Sequence, residues 1–240
     1  MFVAVGFLAQ MVDGTLGMAY GLTATSCLLS FGLAPATASA TVHSAEVFTT
    51  GLSGVSHHYF GNVDRALFRR LAVPGIIGAV IGAYVLSSLD GDRIRPFVAI
   101  YLLGMGVLIL VRVFRRVPPA SAGKHVGILG FFGAFVDSIG GGGWGPVVAS
   151  TLIARGNNVR TTVGSVNAAE FFVTVASSLT FVLTLGLGHW PIVAGLAIGG
   201  MLAAPLAAYS VKHIPHRPFM FLVGLLVISL SARTLINAWA

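Results

Sequence analysis

Apolar residues run along this chain in eight long blocks, at about 2–32, 36–58, 67–89, 96–114, 126–153, 161–185, 190–210 and 218–237. Short polar or charged connections separate most of them: GNVDRALFRR, LDGDRIRP, RVFRRVPPASAGK, RGNNVR and VKHIPHRP. A soluble helix carries one apolar stripe, whereas a block of about 20 apolar residues crosses the hydrocarbon of a bilayer as a helix. The pattern predicts an all-α, polytopic membrane protein. No connection is long enough to hold a soluble domain, so residues 1–240 are expected to form a single membrane domain. Residues 115–124, basic and containing two prolines, read as a linker between a first half (1–114) and a second (125–240).

Composition agrees with the blocks. Charged residues make up 9% of the 240, against roughly 25% in an ordinary soluble domain. Apolar residues reach 56%, and the mean hydropathy is +0.91. That leaves too little polar surface to cover a water-facing globule. The net charge of +7 would suggest nucleic acid in a soluble protein. Here most Lys and Arg sit in the connections, where they set topology, and no nucleic-acid partner is expected. The lone Cys27 reads as a small buried hydrophobe. The opening MFVAVGFLAQMVDG has no basic stretch ahead of it and no small-residue cleavage site, so it reads as mature structure.

Two blocks, 2–32 and 126–153, are interrupted by glycine: GTLGMAYG follows Asp13, and SIGGGGWGP follows Asp137. Glycine at that density weakens a helix and frees backbone amides. Non-helical backbone at membrane depth survives where it is buried in protein or lines a cavity. Each block therefore reads as two half-helices around a break. The breaks are related by descent within the chain. Sliding residues 6–54 onto 130–178 without gaps makes about one position in three identical. Asp13 falls on Asp137, Gly17 on Gly141, Gly21 on Gly145, Glu46 on Glu170, Thr50 on Thr174 and Ser53 on Ser177. The chain is an internal duplication.

The positive charges bear on how the halves are oriented. If all eight blocks cross, the basic residues divide almost evenly between the two faces. If each broken block is re-entrant, Arg65, Arg69, Arg70, Arg112, Arg115, Arg116, Lys124, Arg155, Arg160, Lys212 and Arg217 share one face. Only Arg93, Arg95 and Arg233 then lie opposite. The excess of positive charge on cytoplasmic connections favours the second arrangement. Three crossings per half make the repeats inverted, a transporter plan.

Of seven acidic residues, Asp64, Asp90 and Asp92 lie in connections. Asp13, Glu46, Asp137 and Glu170 lie within apolar blocks, as two repeat-equivalent pairs. A carboxylate at mid-membrane costs about 2.5–3.5 kcal/mol even on lenient scales, so these four need a cavity, partners or protonation. A structural reading has the aspartates capping half-helix N-termini. His43, Glu46, Thr50 and Ser53 share one helical stripe, repeated by Asn167, Glu170, Thr174 and Ser177. Such stripes serve helix–helix hydrogen bonding or line a polar path. Half-helix N-termini attract anions. Gly140, Gly141, Gly142 and Gly143, and in the first half Gly17 and Gly21, are the candidate positions. His57, His58, His125, His189, His213 and His216 read as interfacial. An intramembrane aspartyl protease using Asp13 and Asp137 fits the duplication less well than a transport path.

The motifs GFLAQMVDGTLGMAYG (6–21), GFFGAFVDSIGGGGWGP (130–146), TVHSAEVFTT (41–50), SVNAAEFFVT (165–174) and GIIGAVIGAYV (75–85) resemble the TauE/SafE sulfite exporter family, over essentially the whole chain. That resemblance implies a secondary transporter of the cell membrane for small sulfur-containing or organic anions such as sulfite or sulfoacetate. No cofactor, metal or catalytic activity is expected. The working expectation places the anion between the breaks, with His43, Asn167, Thr50 and Thr174 contributing hydrogen bonds. Glu46 and Glu170, with Asp13 and Asp137, would take up H⁺ or Na⁺. The bilayer, and a second copy in a homodimer, complete the expected partners. A passive anion channel and a cation or metal transporter are the alternatives.

Overall fold

The computed structural model describes residues 1–114, 125–186, 188–210, 213 and 216–239. The linker expected at 115–124 lies outside them. The described residues are helical, without a strand. In chain order they form α1 (Phe2–Leu16), α2 (Tyr20–Ser30), α3 (Pro35–Tyr59), α4 (Arg65–Ser87) and α5 (Gly91–Phe114). The second half gives α6 (Val126–Gly140), a π-helical turn (Gly145–Ala149), α7 (Ser150–Ala154), α8 (Val159–Leu185), α9 (Trp190–Ser210) and α10 (His216–Trp239).

Local chemistry sets the boundaries. Pro35 opens α3, where its missing amide costs nothing. The Asp64 carboxylate caps α4 by accepting from the amides of Ala66 and Leu67, and Asn158 caps α8 through Thr161. Both expected breaks are present and close alike. α1 ends on Gly17 at φ 69° and α6 on Gly141 at φ 66°, the left-handed conformation that glycine adopts without strain. The Gly17 amide donates to the Asp13 carbonyl, and the Gly141 amide to that of Asp137. The first half-helices run a few residues past the aspartates, so the breaks begin at Gly17 and Gly141 rather than directly after Asp13 and Asp137.

Helices α4, α5, α8, α9 and α10 contain stretches long and apolar enough to cross a membrane. At 25 residues α3 is long enough too, but much of it is Ser, Thr, His and Glu turned into the protein. Its polar face is affordable only because neighbouring helices cover it.

Packing exchanges the halves. α1 lies along α9, and α6 along α4, so each first half-helix is seated on the opposite half of the chain. A methyl at Gly6 or Gly199 would strike the Leu196 or Val3 carbonyl across α1 and α9. Gly78 plays the same part against Phe131 across α4 and α6. Small residues permit this approach, which replaces the hydrophobic drive that lipid does not supply. α3 packs on α8, and α5 on α10.

Contacts also place the helix ends. Phe2 lies beside Gly195 and Gly14 beside Ala207, so α1 runs in the same direction as α9. α2 then leads to Gly32, whose carbonyl accepts from Arg95 near the start of α5 at 3.1 Å. Both ends of the α1–α2 pair thus lie where α3, α5 and α9 begin. α6 starts beside Arg70 and Leu71, near the start of α4. The chain leaves α7 into α8, where Arg160 donates to the Gly61 carbonyl (3.0 Å) and Ser165 accepts from the Asp64 amide (2.7 Å). Both ends of the α6–α7 pair lie at this second end of the bundle.

Candidate functional site: the crossing of the two breaks

The two breaks meet backbone to backbone. A methyl at Gly21 would sit 2.8 Å from Gly142 Cα and 2.9 Å from the Gly141 carbonyl oxygen. The equivalent Gly145 is pressed just as closely on Gly17 and Met18. Thr25 donates to the Gly141 carbonyl, and the Tyr101 hydroxyl to that of Gly142 at 2.9 Å. A methyl at Gly140 or Gly143 would strike Tyr101. These glycines therefore serve the crossing itself. Trp144 is fully buried, and its indole donates to the Val166 carbonyl (3.2 Å).

Against this crossing lie the polar stripes of α3 and α8. Thr50 and Thr174, equivalent in the duplication, meet hydroxyl to hydroxyl at 3.2 Å. Equivalent positions of the two halves thus meet each other directly. All four intramembrane acids gather around this contact. Asp13 is 1% exposed, Glu46 3%, Asp137 4% and Glu170 5%, and all lie within electrostatic reach of one another. Glu46 Oε1 faces Gly21, whose β-position is 3.2 Å away.

The side chains at equivalent positions are not arranged alike. His43 Nε2 bonds Asp137 Oδ2 at 3.1 Å, and the other Asp137 oxygen accepts from the Trp144 amide at 2.9 Å. Asp137 thus caps the second half-helix from the end of the first, as the structural reading anticipated, while also holding a histidine. His43 Nδ1 is 2.8 Å from the Ser39 carbonyl oxygen, and the Ser39 hydroxyl donates to the Ser138 carbonyl at 2.8 Å. Ser138 and Ser177 share a hydrogen bond of 2.6 Å. In the equivalent place Asn167 turns away. Its amide oxygen accepts from Ser53 (2.8 Å) and its nitrogen donates to the Val163 carbonyl (3.2 Å). The Tyr20 amide faces the Asp13 carboxylate as Trp144 faces Asp137, but Asp13 Oδ2 has no hydrogen-bond partner. Neither has Glu170 Oε2, nor either polar atom of the Gln10 amide one turn before Asp13.

Several participants escaped the sequence reading. Ser39 and His57 extend the His43–Glu46–Thr50–Ser53 stripe at both ends in steps of four residues, and that spacing was the available signal. His57, expected at an interface, is fully buried. Its Nε2 lies 3.1 Å from the Gly14 carbonyl oxygen and its Nδ1 3.1 Å from Asn62. Thr25 and Tyr101 act through the crossing, Gln10 is buried one turn before Asp13, and none of the three has a pattern of its own in the chain.

A cavity of about 230 Å³ opens between α3, the end of α8 and the start of α9. Thr37, Thr41, Ser44 and His189 supply its polar wall. Phe181 lines it and also packs against the His43 ring, with centroids 5.9 Å apart. One aromatic ring thus separates this vestibule from the His43–Asp137 pair.

A helical protein with several bilayer-length apolar helices and a buried polar centre is a multi-pass integral membrane protein. The sulfite exporter TauE/SafE family model matches residues 2–234, and the chain belongs to that family. It is 45% identical over 249 residues to the "Probable membrane transporter protein YtnM" of Bacillus subtilis (strain 168), a match spanning 100% of this chain and 83% of the relative. No solved structure matches it. The family and this relative make the chain a membrane transporter.

Proposed function

We propose that this transporter moves a small sulfur-containing or organic anion, and that a cation, H⁺ or Na⁺, travels with the cycle at the crossing of the breaks. The observation carrying the reading is the gathering of four buried carboxyls around duplicated breaks, with Asp13 Oδ2 and Glu170 Oε2 unpartnered. A buried acceptor without a donor is costly, and a proton or monovalent cation removes that cost. Two inverted repeats provide the frame. The contacts that return each broken segment to its own end of the bundle support it, because the ends differ for the two segments.

The halves divide the labour. The Asp13–Glu170 half, with Gln10, takes up the cation. The His43–Asp137 half is already neutralised internally. Protonating Asp137 would release His43 from its carboxylate and leave a cationic donor, one ring away from the vestibule, for the anion. Asn167, Thr50 and Thr174 supply neutral hydrogen bonds deeper in. The glycines hold the crossing and set its geometry, while their neighbouring amides at Tyr20 and Trp144 are engaged by the aspartates.

The test is uptake of labelled sulfite, sulfoacetate and taurine into proteoliposomes, with an imposed pH or Na⁺ gradient. Concentrative uptake driven by one gradient and lost in Glu170→Gln supports the reading. Flux that only equilibrates turns the protein into a passive anion channel, the alternative use of the same stripe. Gradient-driven uptake that survives Glu170→Gln and Asp13→Asn removes the proposed cation half.

A further inference from the structure

Away from the crossing, α3, α4 and α8 enclose an open groove of about 690 Å³, within the range of small-molecule sites. Its composition is graded along its length. Gly51, Gly54, Val55 and His58 form one stripe of α3, running about 10 Å from mid-helix to the helix end. Phe171 and Phe172 of α8 and Phe68 of α4 make the apolar wall, with Phe68 and Phe172 edge to face at 5.6 Å. At the mouth stand His58, Arg65 and Arg69, all exposed. Arg65 and Arg69 are one turn apart on α4, so both heads reach the same rim. Neither has a carboxylate partner. Among the described residues the ion pair is His43–Asp137, and nearby Asp64 is occupied with the amides of Ala66 and Leu67. The depth comes from glycine: a side chain at Gly51 would meet the Phe171 ring at 3.2 Å.

We infer that this groove binds the anionic phospholipid of its own membrane, with the phosphate on Arg65, Arg69 and His58 and one acyl chain along Val55, Phe68, Phe171 and Phe172. The charge gradient selects this occupant. A hydrocarbon trough ending in two unpaired guanidinium groups at the basic end of the bundle needs an apolar chain joined to an anion. A phospholipid supplies both in one molecule and already surrounds the protein. A second copy of the chain would bring its own arginines to the same rim. Guanidinium matches phosphate in a bidentate geometry, so glutamine at these positions removes the recognition without removing the side chain's bulk. The floor of the groove is the α3 wall whose other face carries Thr50 and Ser53, so its occupant braces the helix that holds the polar stripe.

The full chain, purified in mild detergent, would be titrated with phosphatidylglycerol and with phosphatidylcholine and read by native mass spectrometry. At roughly 1 kcal/mol per arginine near a membrane surface, Arg65→Gln or Arg69→Gln should weaken phosphatidylglycerol binding about 5-fold and the pair about 25-fold. Phosphatidylcholine binding should change little. Val55→Trp, at an exposed position, fills the trough with the charges intact and should displace bound lipid of both kinds. Equal affinity of the unmodified protein for both lipids would overturn the proposal. So would unchanged phosphatidylglycerol binding in the double variant, or a change of oligomeric state with lipid retention unaltered.

Discussion

Asp137 and Asp13 hold equivalent places in the duplication, yet one has two partners and the other leaves an oxygen bare. The difference traces to a single residue type, His43 against Asn167. Histidine reaches a carboxylate across α3 and α6, whereas the shorter asparagine satisfies itself on Ser53 and Val163. Removing the histidine leaves a buried carboxyl oxygen without its hydrogen-bond partner, a loss of about 1–3 kcal/mol. His43→Ala should therefore lower the thermal midpoint well below that of Asn167→Ala. Asp137→Asn, which keeps a hydrogen-bonding group, should fall between them. Thermal unfolding followed by tryptophan fluorescence reads the order, and an Asn167→Ala loss equal to that of His43→Ala would refute the asymmetry.

At the scale of elements, the broken segments act as wedges whose points touch. No side chain fits between Gly21 and Gly142, so alanine at either should force the crossing apart at about 1–3 kcal/mol. Gly104 of α5 is the internal control, because nothing lies within 4 Å of its β-position. Alanine there should be neutral or stabilise by about 0.5–1 kcal/mol through its better helix propensity. Chemical or thermal unfolding of the three variants decides whether the crossing depends on contact or only on backbone freedom. Gly17, Gly141 and Gly142 answer to both demands, since each sits at positive φ as well, so Gly21 is the variant that isolates contact.

Across the whole molecule, the described basic residues divide by bundle end. Arg65, Arg69, Arg70, Arg155, Arg160 and Arg217 stand where α4, α8 and α10 begin, and Arg93, Arg95 and Arg233 stand opposite. With cysteine placed singly in a Cys27→Ala background, His125→Cys and Arg160→Cys should both be shielded from an impermeant thiol reagent in intact cells. Arg93→Cys should be labelled. His125 and Arg160 bracket the whole α6–α7 segment, so labelling of only one of them would show that the segment spans, and the repeats would then be parallel.

The chain alone determined the helical class, the existence of both breaks and the duplication, because glycine density, apolar block length and recurring acids are properties of order along a line, while the breaks themselves begin four residues later than the aspartates that mark them. The stripe of His43, Glu46, Thr50 and Ser53 was legible for the same reason, since helical periodicity turns spacing into a face. Tertiary structure decided what the line cannot express. It seated each first half-helix on the other half of the chain and spent the break glycines on a backbone crossing. It buried His57, and it made two equivalent half-sites unequal. Those outcomes depend on which surfaces meet between residues distant along the chain, 43 positions apart for His57 and Gly14 and 94 for His43 and Asp137, and neither composition nor periodicity encodes a partner at that separation.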